Sequence, residues 1–153
     1  MKLDQIDRQL LMYLQSDCKQ TNKELSVKLH LSVTAVYERI KKLERAGVIR
    51  RYVALVAPEK VDLGFLVFCH VKLEKHDKDA IMYFETEVER LEEVVECFHM
   101  SGDYDYLLKV MVGDMEHFRS FMVHKLTTLQ HIGSTRSSFT INQVKNTTAV
   151  QLL

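Results

Sequence analysis

Along the first 56 positions the apolar residues recur at helical spacing. Leu3, Ile6, Leu10, Leu11 and Leu14 fall on one face of a helix, and Asp4 stands where it can cap the amides that follow. The polar stretch SDCKQ breaks the pattern. In TNKELSVKLHL, Thr21 is followed three residues later by Glu24, a capping box that opens a short helix turning Leu25 and Leu29 inward. Ser32 starts a third helix with Val33, Val36, Ile40 and Leu43 as its apolar stripe, and Gly47 stands at the position of a C′ glycine. Its other faces carry Thr34, Tyr37, Glu38, Arg39, Lys41, Lys42 and Arg45. GVIRRYVALVAP then reads as a strand beginning with Arg50 and Arg51. A long helix, a short helix, a helix and a basic strand, tightly connected, predict a winged helix-turn-helix over residues 1–56.

Around Pro58, the single proline, APEKVDLG reads as a hinge over 57–64. Beyond it the apolar period shifts towards two. The pattern predicts a strand from Phe65 to Leu73 and a helix from Asp77 to about Leu91 with Ile81, Phe84, Val88 and Leu91 inward. A strand from Val94 to Met100, the turn SGDYD, and a strand from Tyr106 to Val112 follow. Asp114 caps a helix bearing Phe118, Phe121, Met122, Leu126 and Leu129, and Ser134 to Gln143 is the last strand. The order βαββαβ predicts an α+β, ferredoxin-like domain over 65–153. Its two helices cover one face of the sheet. The chain has nothing left to cover the other, so that face is polar or another subunit lies on it.

Charge changes this picture. The 153 residues have a net charge of zero, but residues 1–60 hold 12 Lys+Arg against 7 Asp+Glu, and the acidic excess lies in the remainder. A basic half joined to an acidic half points to nucleic-acid contact on one side. The 46% of hydrophobic and 27% of charged residues are ordinary globular values. No apolar run nears the roughly 20 residues of a membrane helix, and the charged MKLDQIDRQLLMYL is no signal peptide. Three widely spaced cysteines, Cys18, Cys69 and Cys97, fit a reducing cytoplasm, with Cys69 and Cys97 expected in the core.

Two segments carry candidate chemistry. At the start of the third helix, Ser32, Thr34, Ala35, Tyr37, Glu38 and Arg39 are small or polar, as a helix facing base edges in the major groove requires. Lys41, Lys42, Arg45, Arg50 and Arg51 would lie along phosphates. The plainer reading, a solvated amphipathic helix, loses ground to the preceding helix pair and the basic strand. The second segment is the turn Ser101 to Tyr106 between two central strands. Its glycine lets a backbone come close, and Asp103 and Asp105 flank the ring of Tyr104. Carboxylates for an ammonium and free amides for a carboxylate would suit a small zwitterion. An ordinary β-turn uses the same residues. There is no HExxH, no phosphate-cradling glycine loop and no nucleophile beside a base. His117, His124 and His131 recur every seven residues, a poor spacing for ligands on one helix, and read as surface histidines. No metal or cofactor is expected.

LSVTAVYERIKKLERAGVIRRYVA resembles the helix-turn-helix signature of the leucine-responsive/AsnC (feast/famine) regulators. SGDYDYLLKVMV resembles that family's effector-domain signature and IGSTRSSFTI its last strand. The likeness runs over essentially the whole chain in order. It implies a transcription regulator that binds double-stranded DNA, forms dimers through its C-terminal sheets and often octamers, and takes an amino-acid effector where dimers meet. By motif position, Gly102, Asp103, Tyr104 and Asp105 would contact the effector, with Thr135 and Ser137 on the last strand. The family often has threonine where this chain has Ser137, and aspartate where it has Ala57 before Pro58. Siroheme decarboxylases resemble the same family, so an enzyme on this scaffold is the rival reading. A helix shaped for DNA argues against it. A regulator without effector is the other alternative.

Overall fold

The computed structural model describes residues 2–152. They divide into two compact units, one made by the chain up to Leu55 together with the segment from Val144 on, the other by Val56–Gln143. The closing segment, grouped with the second domain in the sequence reading, thus clusters with the first.

The first unit has three helices, α1 (Gln5–Ser16), α2 (Asn22–Leu29) and α3 (Val33–Arg45). Each starts on a side-chain cap. Asp4 accepts from the amide of Asp7, Thr21 from Glu24 and Ser32 from Ala35, and the first two are full capping boxes. Between α2 and α3, His30 takes the left-handed conformation at φ 53°, which lets the chain turn tightly without a glycine. Gly47 closes α3 at φ 69°, as its C′ position requires. Leu10, Leu11, Leu25, Leu29, Val36 and Leu43 form the buried core, and Leu152 packs against it. The Gln15 amide fastens the closing segment, donating to the Val150 carbonyl at 3.0 Å and accepting from its amide at 2.8 Å. The basic strand expected after Gly47 does not form: residues 50–57 carry no regular structure. A strand exists only by pairing, and no partner strand lies beside this one among the described residues. Tyr52, Val53, Leu55 and Val56 are exposed.

The second unit is a four-stranded antiparallel sheet of β1 (Phe65–Leu73), β2 (Val94–His99), β3 (Tyr106–Val112) and β4 (Ile132–Phe139), in the order β2-β3-β1-β4. Helices α4 (Lys78–Val88) and α5 (Met115–His124) complete the βαββαβ order. Alternation decides the faces. Val67, Cys69, Val71 and Leu73 of β1 and Tyr106, Leu108, Val110 and Val112 of β3 are buried with Phe84, Val88, Phe118 and Phe121. Leu66, Phe68 and His70 of β1 and Leu107, Lys109 and Met111 of β3 point the other way, towards a face that no helix covers. Phe84 meets Tyr106 with ring centroids 4.5 Å apart, and the Tyr106 hydroxyl donates to Glu85 at 2.9 Å. Burial, then the Glu85 carboxylate, push that phenol's pKa up. Cys69 is buried as expected. Cys97, expected in the core, is exposed, because β2 is an outer strand of the sheet.

Candidate functional site

Helix α3 turns Val36 and Leu43 into the core and leaves Thr34, Tyr37, Glu38, Lys42 and Arg45 exposed. Thr34, Tyr37, Glu38, Lys41 and Arg45 follow i, i+3, i+4, i+7 and i+11 spacing and so form one stripe. Ser32 spends its hydroxyl on the helix cap, accepting from the Ala35 amide at 3.1 Å, and Ala35 is half-buried. Lys41 pairs with Glu44 at 2.8 Å and lies 5.8 Å from the centre of the Tyr37 ring. The Glu44 carboxylate also accepts from Tyr52 at 3.0 Å. Arg45 extends along the helix, its Nε donating to the Lys41 carbonyl at 3.3 Å. Arg50 and Arg51 are exposed and have no intramolecular partner among the described residues. They are cations left for an external anion.

Arg39 is placed otherwise than its sequence position suggests. Its Nη1 donates to Asp4 at 2.7 Å and to Asp7 at 2.6 Å. Asp7 is fully buried, and the Arg39 side chain is 26% exposed. Hydrogen bonding to Asp4, more than the opposing desolvation, raises the guanidinium pKa. The partners lie 35 and 32 residues away in sequence, so no local pattern announces them.

In the second unit the turn after β2 closes with the Met100 amide donating to the Asp105 carbonyl at 2.7 Å and the Asp105 amide to Val71 at 2.9 Å. Gly102 sits at φ 130°, where side chains are strained, although a Cβ there would meet no atom within 4 Å. A depression of about 300 Å³ lies beside the turn, lined by His70, Met100, Ser101, Asp103, Tyr104 and Arg136. His70 and Arg136 face each other across β1 and β4, and the Tyr104 ring lies 5.3 Å from that of His70. Asp103 is exposed without an intramolecular partner. The depression therefore offers a guanidinium, a carboxylate, an aromatic ring and a thioether.

Three residues expected at the effector, Asp105, Thr135 and Ser137, do not line this depression. Asp105 turns inward: one carboxylate oxygen accepts from the Leu73 amide at 2.7 Å and the other lies 2.9 Å from His76 Nε2. Partial burial opposes its ionised form, but these two donors win and hold its pKa below the usual carboxylate value. Thr135 and Ser137 pair with Val71 and Cys69, so they point to the helix-covered face, opposite His70 and Arg136. Ser137 Oγ is 3.8 Å from Cys69 Sγ. Reading β4 at period two would have singled out Arg136 as the residue on the other face. His70 is set by cross-strand register, which the sequence does not display. Among the described residues no cluster of three or more His, Cys, Asp or Glu could hold a metal.

The comparisons with known proteins agree over both units. The winged helix-turn-helix DNA-binding family matches residues 3–50 and the Lrp/AsnC ligand binding domain family residues 66–150. The chain is 41% identical over 143 residues to the leucine-responsive regulatory protein of Escherichia coli K12, covering 94% of this chain and 87% of that protein. It is similar to a transcriptional regulator of Neisseria meningitidis solved as its L-Met complex, at 37% identity and a TM-score of 0.93 over 97% of this chain and 96% of that one. An AsnC family regulator of Agrobacterium tumefaciens superposes with a TM-score of 0.92 at 37% identity, again over 97% and 96%. A helix-turn-helix with a solvent-facing third helix, followed by the antiparallel α+β unit of that ligand-binding domain, makes this chain a member of the Lrp/AsnC family of DNA-binding transcription regulators.

Proposed function

We propose that α3 enters the major groove and reads bases with Thr34, Tyr37 and Glu38, while Lys42, Arg45, Arg50 and Arg51 bind phosphates. The observation that carries this reading is the outward stripe of α3, followed in the chain by the exposed and partnerless Arg50 and Arg51. Non-specific affinity should fall steeply with salt, and Arg51→Ala should flatten that slope by about 0.9 for one lost phosphate contact. An affinity indifferent to salt overturns the assignment.

The second unit modulates this binding by taking a free amino acid at the turn Ser101–Tyr104. Arg136 holds the carboxylate, Asp103 the ammonium, and Met100 with Tyr104 bounds the side chain. The L-Met complex of the Neisseria relative supports an amino acid as the ligand class. Gly102 serves the turn's backbone, and Asp105 its fixation. The uncovered sheet face, with Leu66, Phe68, Leu107 and Met111, supports assembly of dimers and higher even oligomers through it. No described helix is long and apolar enough to cross a membrane, and relatives named as regulatory proteins support a cytoplasmic regulator rather than an enzyme. Calorimetry with the twenty amino acids tests the site: Arg136→Ala should weaken the one that binds by about tenfold to hundredfold, the loss of a charge-assisted hydrogen bond. Unchanged affinity in both Arg136→Ala and Asp103→Ala places the ligand elsewhere.

A further inference from the structure

We propose that Arg39, held by Asp4 and Asp7, is a positioning residue that sets the rotation of the DNA-reading helix about its own axis and touches no nucleotide. The inference rests on the reading that α3 enters the groove. It departs from what the sequence suggests of Arg39, an arginine in a basic helix.

Three observations carry it. First, the guanidinium is anchored through its Nη1. One nitrogen serves both carboxylates at 2.7 and 2.6 Å. To leave for a phosphate or a guanine it would strand Asp7, whose side chain is fully buried; an uncompensated buried carboxylate is among the costliest states a protein interior can hold. Lys42, 4.0 Å from the other Asp7 oxygen, is too distant and too exposed to replace it. Second, Arg39 points the wrong way to read DNA. At 100° per residue it is turned by roughly 100–160° from each of Thr34, Tyr37, Glu38, Lys41 and Arg45. Third, the grip is on a rigid point. Asp4 and Asp7 are the cap and third residue of α1, bonded to each other through the capping box, Asp7 N to Asp4 at 2.7 Å and Asp4 N to Asp7 at 3.3 Å. The apolar contacts of Val36 and Leu43 tolerate small rotations of a helix. Two short, directional hydrogen bonds to a fixed pair of carboxylates do not. Together they place the outer stripe of α3 at one angle.

The test uses the full chain and two duplexes: one selected by the wild-type protein from a random pool, and an unrelated one of equal length. Arg39→Met and Asp7→Asn should each lower the preference for the selected duplex by about tenfold or more, the size of one base pair's discrimination. The double variant should be no worse than either single one, since both remove one interaction. The salt slope should stay at the wild-type value, and Arg39→Lys should recover part of the preference. Tyr37→Ala is the control for the groove reading: if it keeps full preference, that reading fails, whatever Arg39 does. A salt slope lowered by about one in Arg39→Met, with Asp7→Asn unaffected, would make Arg39 a phosphate contact and overturn the proposal. If either core variant lacks wild-type helicity, Asp4→Asn and Arg39→Lys decide. Asp4→Asn keeps the cap acceptor and loses the charge. A measurable loss of preference in both, at unchanged slope, sustains the proposal; wild-type preference in both overturns it.

Discussion

Replacing Asp105 by alanine separates two roles that its position in the turn motif confounds. The carboxylate accepts from the Leu73 amide at 2.7 Å and lies 2.9 Å from His76. Leu73 is 2% exposed, so its amide gains no water when the acceptor is cut away. A hydrogen bond from a buried amide to a charged acceptor contributes about 1.5–3 kcal/mol. The His76 side chain is 56% exposed, and its share is screened to about 0–1 kcal/mol. The expected loss is therefore about 1.5–4 kcal/mol of the second unit's stability, read by urea denaturation at pH 7. The pH dependence has a definite sign. Asp105 has a folded pKa below its ordinary value of 3.8, so its ionised carboxylate stabilises the fold above that value. The contribution is lost as pH falls through the folded pKa. The gap between wild type and Asp105→Ala should hold from pH 7 to about 5 and narrow below about 4. Amino-acid binding, measured by calorimetry where the variant is fully folded, should change little. Wild-type stability combined with abolished binding would refute the reasoning and return Asp105 to the ligand.

Two further perturbations probe the units one at a time. Leu10→Ala opens a cavity in a core where Leu10 is fully buried; it should cost about 2–5 kcal/mol by chemical denaturation and reduce DNA binding by depleting the folded helix-turn-helix, and a loss under 1 kcal/mol would show that the three helices do not close around it. Removing residues 144–153 takes away both Gln15–Val150 hydrogen bonds and the packing of Leu152. The helix-turn-helix should then unfold at a lower temperature and show faster amide exchange around Gln15, and identical exchange would make the segment idle.

Much of the fold is legible locally. Asp4, Thr21, Ser32 and Asp114 all cap the helices that they announce in the sequence, because a cap is a bond between residues two or three apart. Strands β1 and β3 begin and end where their apolar pattern does, since both are flanked by other strands and buried on one face. The signal weakens where that support ends. The helix expected to reach about Leu91 stops at Val88, and the one expected to carry Leu129 stops at His124, with Leu126 opening a 3-10 turn at Leu126–Thr128 and Leu129 extended after it. The extended run RYVALVA has strand composition but no neighbour to pair with among the described residues.

The candidate sites divide the same way. Periodicity by itself determined that α3 has an outward polar face and that a tight turn follows β2, because both depend on residues close in the chain. Which of those residues are free was decided only by the tertiary structure. Arg39 and Asp105 are spoken for by partners 29 to 35 residues away. Thr135 and Ser137 were turned from the depression, and Arg136 and His70 towards it, by the pairing of β4 with β1. A charge or a hydroxyl is a capacity to bind, written in the sequence. Its use is settled by whichever partner the fold brings within about 3 Å, and for Arg39 and Asp105 that partner is far away in the chain.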